Sequence, residues 1–315
     1  GQKQRLKKLF GYGGKILRVN LTSGKITSKT LNKKLISEWI GGRGFIAKFL
    51  YEEVPKGADP LGPENKLIIA AGPLSGTFWP SAAKLVFGTK SPLTGGYGDS
   101  NLGGFMMAEL KFAGYDIIIL EGASKTPVYL FIDDDRVELR DATTYWGKGA
   151  LTTERLLKEN LGESFQCATI GPAGENLVKY SNINHDFGRQ SGRCGMGAVM
   201  GSKKLKAIAV HGTKGIPIHD PDRLISITRS ALKHITGHSY FQRFRMYGTT
   251  DITDWCQQMG VLPTKNFAYG HFDKQENIAP ETMRRELNVK DRACFACPLN
   301  CSNYSYSKKY KTFLD

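Results

Sequence analysis

Gly188-Arg189-Gln190-Ser191-Gly192-Arg193-Cys194-Gly195-Met196-Gly197-Ala198-Val199-Met200-Gly201-Ser202-Lys203 is the stretch around which the chain divides. Five glycines fall within fourteen residues, with two arginines among them, so main-chain amides can approach an anion closely. The same glycines also suit tight turns between strands, and at this level both readings stand. Residues 197–203 read G-x3-G-S-K rather than G-x4-G-K-[ST], which sets aside an ordinary nucleotide loop. One strand pattern follows at 205–210. From Asp220, a candidate helix cap, the chain reads as helices and loops without further strand runs. The expected boundary lies near residue 216, with a two-sheet domain at 1–216 and an incomplete helical domain at 217–315.

Upstream, Lys15 to Leu21 alternates like a strand, turns at Ser23-Gly24, and returns as a hairpin. Helical spacing follows at 32–40, and again after Gly41-Gly42-Arg43-Gly44 as far as Glu53. Strand patterns then stand at 66–71, 83–88, 117–120, 128–132, 137–139 and 167–170, with a helix over 149–160. A first glycine-rich stretch, residues 88–104, holds six glycines and Asn101 and leads into a helical pattern at 105–112. Helix starts attract phosphate, so this second segment also reads as an anion loop. No internal repeat of fixed period is visible. The fold class is α+β: a β-rich base of two sheets with flanking helices, then the start of a helical domain.

The 315 residues carry a formal charge of +15. No basic motif interleaved with aromatics is present, so nucleic acid is not the expected partner. An anionic cofactor or an acidic protein would be steered equally well by such a field. Lysines are spread as on solvated faces, except at 3–8 and 203–206. The longest aliphatic runs, such as Ile117-Ile118-Ile119-Leu120, are too short to span a bilayer. The basic start, Gly1 to Lys8, is followed by no apolar leader, and six cysteines without a paired framework fit a reducing compartment. The expectation is a cytoplasmic protein.

Cys294-Phe295-Ala296-Cys297-Pro298-Leu299-Asn300-Cys301 places three thiols at C-x2-C-x3-C spacing. Short thiolate runs beside proline suit an iron–sulfur cluster. Zinc would require a fourth ligand at finger spacing, and the nearest upstream histidine is His271. The run is also the reverse of the radical-SAM order. Cys256, beside Trp255, reads as a core residue.

Taken together, these segments resemble the tungsten-containing aldehyde:ferredoxin oxidoreductase family along almost the whole chain. The resemblance is carried by Gly41-Gly42-Arg43-Gly44, by Pro63-Glu64-Asn65-Lys66-Leu67-Ile68-Ile69-Ala70-Ala71-Gly72-Pro73-Leu74 and by Thr89-Lys90-Ser91-Pro92-Leu93-Thr94-Gly95. It continues through Glu109 to Asp116, Ile170 to Asn176 and Gly197 to Lys203. What it implies is a base of two β-sheets cradling two pyranopterin dithiolenes on one tungsten (or molybdenum), followed by helical domains. It also implies a [4Fe-4S] cluster that passes electrons to ferredoxin. By resemblance, Asn101 and Gly103 in one segment and Arg189 and Gln190 in the other hold pterin phosphates. Asn101 and Gln190 also hold a bridging Mg²⁺ through main-chain atoms, and Cys294, Cys297 and Cys301 are three cluster ligands. Lys84 stands where the family commonly has an arginine between pterin and cluster, which keeps the charge but loses the planar fork. The fourth cluster cysteine and the acid–base residues of the aldehyde pocket fall in a part of the family pattern beyond this chain.

The implied activity is interconversion of aldehydes and carboxylic acids. The alternative is a split or vestigial subunit that binds pterin or a cluster and needs a partner chain, an expectation prompted by the ending at Asp315. A basic nucleic-acid binder with a zinc knuckle is the weakest of the three.

Overall fold

The computed structural model describes residues 9–314, and the basic segment at 1–8 lies outside them. The chain divides into two compact units, one ending at Pro221 and the other beginning at Asp222.

In the first unit, alternating Lys15 to Asn20 forms β1 (Lys15–Asn20), which turns back as β2 (Ile26–Thr30). Helices α1 (Lys33–Trp39) and α2 (Arg43–Glu53) follow, and Asn32 caps α1 by accepting from the Leu35 amide at 2.7 Å. Then come β3 (Leu67–Ala71), β4 (Leu85–Lys90), β5 (Tyr97–Leu102), α3 (Met106–Phe112) and β6 (Tyr115–Glu121). These strands make a six-stranded sheet in the order β2-β1-β6-β3-β4-β5, with β1 and β6 parallel and the other neighbours antiparallel.

The chain then repeats this design. It runs through β7 (Val128–Asp133), β8 (Arg136–Asp141), α4 (Ala150–Leu161), β9 (Gln166–Thr169) and a short α5 (Pro172–Glu175). It closes with β10 (Ile183–His185), β11 (Arg189–Ser191), α6 (Met196–Ser202) and β12 (Leu205–His211). The second sheet is ordered β11-β10-β9-β12-β7-β8, again with one parallel pair, β7 and β12. Adding six to each strand number of the first sheet yields the second. No repeat period shows in the sequence because β10 and β11 have three residues each where β4 and β5 have six.

Strand periodicity accounts for the cores. Ile68, Ala70, Ile117 and Ile119 share a sheet face and pack with Phe45, Ile46, Phe49 and Leu50 of α2. In the second repeat Phe131, Cys167, Ala207 and Ala209 do the same with Leu157 of α4. Residues of opposite parity, such as Leu67, Ile69, Ile118 and Leu120, are buried as well, so these strands read as continuous apolar runs. The repeats also exchange helices: α3 packs on β9 and β12, and α6 packs on β3 and β4.

Lysines 203 and 206, which stand out in the sequence as a local basic cluster, are buried. The Lys203 ammonium donates to the carbonyls of Asn65 (2.6 Å) and Gly122 (2.9 Å), tying the end of α6 to the first repeat. Lys206 pairs with Glu175 and donates to the Lys148 carbonyl. Lys111 pairs with buried Asp116 at 2.9 Å and donates to the carbonyls of Gly11 and Gly72. A charge run therefore conceals internal cross-links, because the carbonyls of turns between strands need donors that no ladder supplies.

The second unit holds α7 (Pro221–Gly237), α8 (Phe241–Tyr247), α9 (Ile252–Gln258) and α10 (Pro280–Glu286). A three-stranded antiparallel sheet follows, β13 (Asn288–Arg292), β14 (Ser302–Ser307) and β15 (Thr312–Leu314). This sheet corrects the expectation of helices and loops alone. Its central strand, Ser302-Asn303-Tyr304-Ser305-Tyr306-Ser307, has no aliphatic run to announce it. Cys256 is not a core residue either: α9 has no buried residues. Among the described residues no helix is long and apolar enough to cross a membrane.

Burial pushes the Lys203 ammonium down to about 8, below the unfolded value of 10.5. The unfolded chain then binds the extra proton between these values, so stability should rise as pH climbs from 8 toward 10.5. Lys203→Met should abolish that rise and cost about 2–4 kcal/mol at pH 7 by leaving two buried carbonyls without donors. Urea denaturation at both pH values measures this, and an unchanged midpoint would show the cross-link to be dispensable.

Candidate functional site

The two glycine-rich segments occupy equivalent places in the repeats: each leads out of the fifth strand into the helix that precedes the sixth. Their strands, β5 and β11, are edge strands of the two sheets, and the two edges meet. The Arg193 amide donates to Ser100 Oγ at 3.1 Å, and Ser91 Oγ donates to the Cys194 carbonyl at 2.9 Å. A Cβ on Gly98 would stand 2.8 Å from Cys194 Cβ, so glycine is required for this approach.

On the first edge, Lys84 lies just before β4 and Gly103 just after β5, brought side by side by the Leu85–Leu102 pairing. Asn101 is opposite Val86 on β5 and is exposed, Gly103 is buried, and the Lys84 side chain is exposed. On the second edge, Arg189 and Gln190 lie on β11 opposite His185 and Asn184 of β10. Arg189 Nε stands 3.7 Å from Asp186 Oδ2, and Gln190 Oε1 accepts from Asn182 Nδ2. The structure thus brings Lys84, Asn101, Gly103, Arg189 and Gln190 to two adjoining sheet edges. Arg43, from the Gly-Gly-Arg-Gly stretch, adds a bidentate pair to Asp99 of β5 at 2.5 and 2.7 Å.

Not every glycine serves a ligand. A Cβ on Gly197 would meet the Asn182 carbonyl at 2.3 Å, and one on Gly201 the Gly174 carbonyl at 1.9 Å; both are there for packing. Gly188 and Gly192, which flank β11, face open space. The α3 start is not an anion site, contrary to the expectation from its glycines. Its Phe105 and Met106 amides donate to buried His185 Nε2 at 3.2 and 3.3 Å. A Cβ on Gly104 would sit 2.6 Å from that ring. A lone histidine in Asn184-His185-Asp186 gives no sequence signal for this, because the partner amides lie eighty residues away.

Whether these residues suit an anionic group with hydrogen-bonding heterocycles can be judged from unmet polar atoms. Ser181 Oγ, Asn184 Oδ1 and Ser191 Oγ are buried and lack partners among the described residues, and all three lie on or beside the β10–β11 hairpin. With Arg189 as a planar donor, two serine hydroxyls, Asn184 Oδ1 as an acceptor and open backbone at Gly188 and Gly192, the edge suits a phosphorylated ligand with hydrogen-bonding edges, such as a pterin.

In the second unit, Cys294, Cys297 and Cys301 lie on the connection from β13 to β14, and the Cys297 amide donates to the Cys294 carbonyl at 3.2 Å. The three side chains are half-buried. Among the described residues no three His, Cys, Asp or Glu side chains are gathered closely enough to hold a metal. The thiols therefore do not stand as a preformed cage.

Burial pushes His185 down to about 4, so the ring is neutral; Nδ1 donates to the Cys167 carbonyl at 2.9 Å, leaving Nε2 as acceptor. The unfolded chain takes up this proton first, near 6.5, so the stabilisation is complete above that pH and is lost as pH falls toward 4. His185→Leu should cost about 2–4 kcal/mol at pH 7. Between pH 7 and pH 5 the wild type should lose about 2 kcal/mol that the variant does not lose. Equal losses by urea denaturation would remove the imidazole from this role.

The family description "Aldehyde ferredoxin oxidoreductase, N-terminal domain" matches residues 16–212, and that of "domains 2 & 3" matches residues 226–314. The chain is 43% identical over 300 residues to the tungsten-containing aldehyde ferredoxin oxidoreductase of Pyrococcus abyssi, covering 95% of this chain and 49% of that protein. It is 33% identical to the WOR-like subunit of the aliphatic sulfonate oxidoreductase of Pyrococcus furiosus, covering 95% of this chain and 50% of that subunit. Among solved structures, a chain of the active-site complex BamBC of benzoyl coenzyme A reductase with 1,5-dienoyl-CoA superposes with a TM-score of 0.83 at 32% identity. That superposition covers 95% of this chain and 48% of the other. This chain thus spans about half the length of the relatives it matches. Two sheets of one design meeting at glycine-rich edges, together with both matches, make it a member of the aldehyde ferredoxin oxidoreductase family.

Proposed function

We propose that the chain forms the floor for two pyranopterin dithiolenes and their tungsten, or molybdenum, in an oxidoreductase that interconverts aldehydes and carboxylic acids. The observation that supports this best is the repeated design. Two equivalent glycine-rich segments meet at adjoining edges, which suits a ligand with two like halves. When bound, the metal–pterin group would supply two-electron oxygen-transfer chemistry, and the protein supplies position and charge.

In this reading the Arg189 guanidinium would hold one phosphate, and main-chain atoms of Asn101 and Gln190 would hold Mg²⁺. Gly103 lets the backbone approach, and Lys84 adds a mobile positive charge at the end of the first edge. Cys294, Cys297 and Cys301 are proposed as three ligands of a [4Fe-4S] cluster on the strength of their spacing. Because they are not gathered, their loop would have to close around the iron. Ferredoxin or a ferredoxin-like subunit is the proposed electron partner, and the cytoplasm the proposed site of action. A second reading, a split or vestigial subunit completed by a partner chain, is prompted by the likeness to a chain of the BamBC complex.

Metal analysis of the purified chain distinguishes the readings. About one tungsten or molybdenum per chain together with iron supports the enzyme, whereas iron alone supports the subunit. Cys297→Ala should lose iron and retain pterin, and Arg189→Ala should do the reverse. Full iron in the Cys297 variant would dismiss the cluster.

A further inference from the structure

The turn that joins β10 to β11 is strained. Asp186 and Phe187 are consecutive non-glycine residues at φ of 51° and 54°, in the left-handed region. Each such residue costs about 1–3 kcal/mol and persists only where its surroundings over-determine it. Here one side chain accepts both strained amides. Glu154 of α4 reaches under the turn, with Oε1 accepting from the Asp186 amide at 2.8 Å and Oε2 from the Phe187 amide at 3.1 Å. Asn184 Nδ2 donates to Oε2 at 3.2 Å.

We propose that Glu154 is the positioning residue of the β11 edge: it sets the Asp186-Phe187 turn and, through it, the reach of Arg189. The inference rests on the phosphate-binding reading of that edge. Successive amides in a turn form an anion-binding hollow, and here an internal carboxylate fills it from beneath, leaving Gly188 exposed beside the half-buried Arg189. Two diverging oxygens are needed because the two donors are adjacent on one chain; an amide side chain offers only one. The carboxylate is fully buried, yet among the described residues it forms no salt bridge. Nearby Lys158 instead gives its ammonium to the carbonyls of Glu163 and Phe165. Burying a carboxylate among neutral donors is costly, and a fold that required only packing at this point would use an apolar residue. Asp186 carries the setting onward through its contact with Arg189 Nε.

The titratable groups facing Glu154 are Lys158 on its own helix, Cys167 on β9 and Asp186 on the turn, with neutral His185 beside them. Burial pushes Glu154 up to about 7, so its two-oxygen grip weakens as pH falls through neutrality. Its folded value lies above the ordinary 4.5, so its ionisation lowers global stability as pH rises. The grip on the turn and the stability of the fold therefore run in opposite directions with pH, which a purely structural role would not produce.

The test uses the full chain without added cofactor. In the wild type, hydrogen-exchange protection of the Asp186 and Phe187 amides should fall about tenfold from pH 8 to pH 6 while global stability does not fall. Glu154→Gln should remove that pH dependence and lower the protection at pH 8 about tenfold without lowering Tm. Inorganic pyrophosphate, offered as a probe, should bind about tenfold more weakly to Glu154→Gln and also lose affinity in Arg189→Ala. Protection that is independent of pH in the wild type overturns the proposal, even should the variant fail to fold. So does pyrophosphate binding that Glu154→Gln leaves intact and Arg189→Ala removes. A wild type that binds no pyrophosphate counts against the phosphate-binding edge, and the exchange profile still decides the role of Glu154.

Discussion

A single uncharged imidazole joins the two repeats where they matter most. His185 belongs to the second sheet and donates to the Cys167 carbonyl there, and its other nitrogen accepts the two leading amides of α3 from the first repeat. It can do both only as one tautomer of the neutral ring, and burial keeps it neutral. The glycine-rich segment after β5 is thereby fixed to the strand that precedes β11. Lys203 makes the reciprocal connection, from the end of α6 to carbonyls flanking the first sheet. With α3 and α6 each packed on the other repeat's strands, neither sheet can shift without moving the opposite edge.

This arrangement explains how short edge strands can form a site. β10 and β11 have three residues each, too few to be stable as an isolated hairpin. They are held by the pairing of β10 with β9 and by side chains from elsewhere, Glu154 beneath the turn and Ser100 against Arg193. The edge can then carry open glycines beside a half-buried arginine, because rigidity is supplied from the interior.

Part of this was readable from residue order. Helix and strand periods gave most elements of the first unit, and the glycine-rich segments with Asn101 and Arg189 marked both edges. The misreadings share a cause. The burial of Lys203 and Lys206 was not legible because a lysine's burial depends on carbonyls distant in sequence. The α3 start read as an anion site because its amides' acceptor, His185, is contributed by the other repeat. The strands beyond Asp220 lacked the aliphatic runs that normally announce a sheet.

Local chemistry in the sequence determined the fold class, the family resemblance and the residue types available for an anion and a metal, since those depend on spacing and composition alone. Tertiary structure decided the rest. It revealed a duplicated sheet without a sequence period, separated packing glycines from open ones, and made Glu154 and His185 internal acceptors for amides thirty to eighty residues away. The physical reason is that hydrogen-bond partners of irregular backbone are set by which elements meet in space, and short-range sequence pattern carries no record of those meetings.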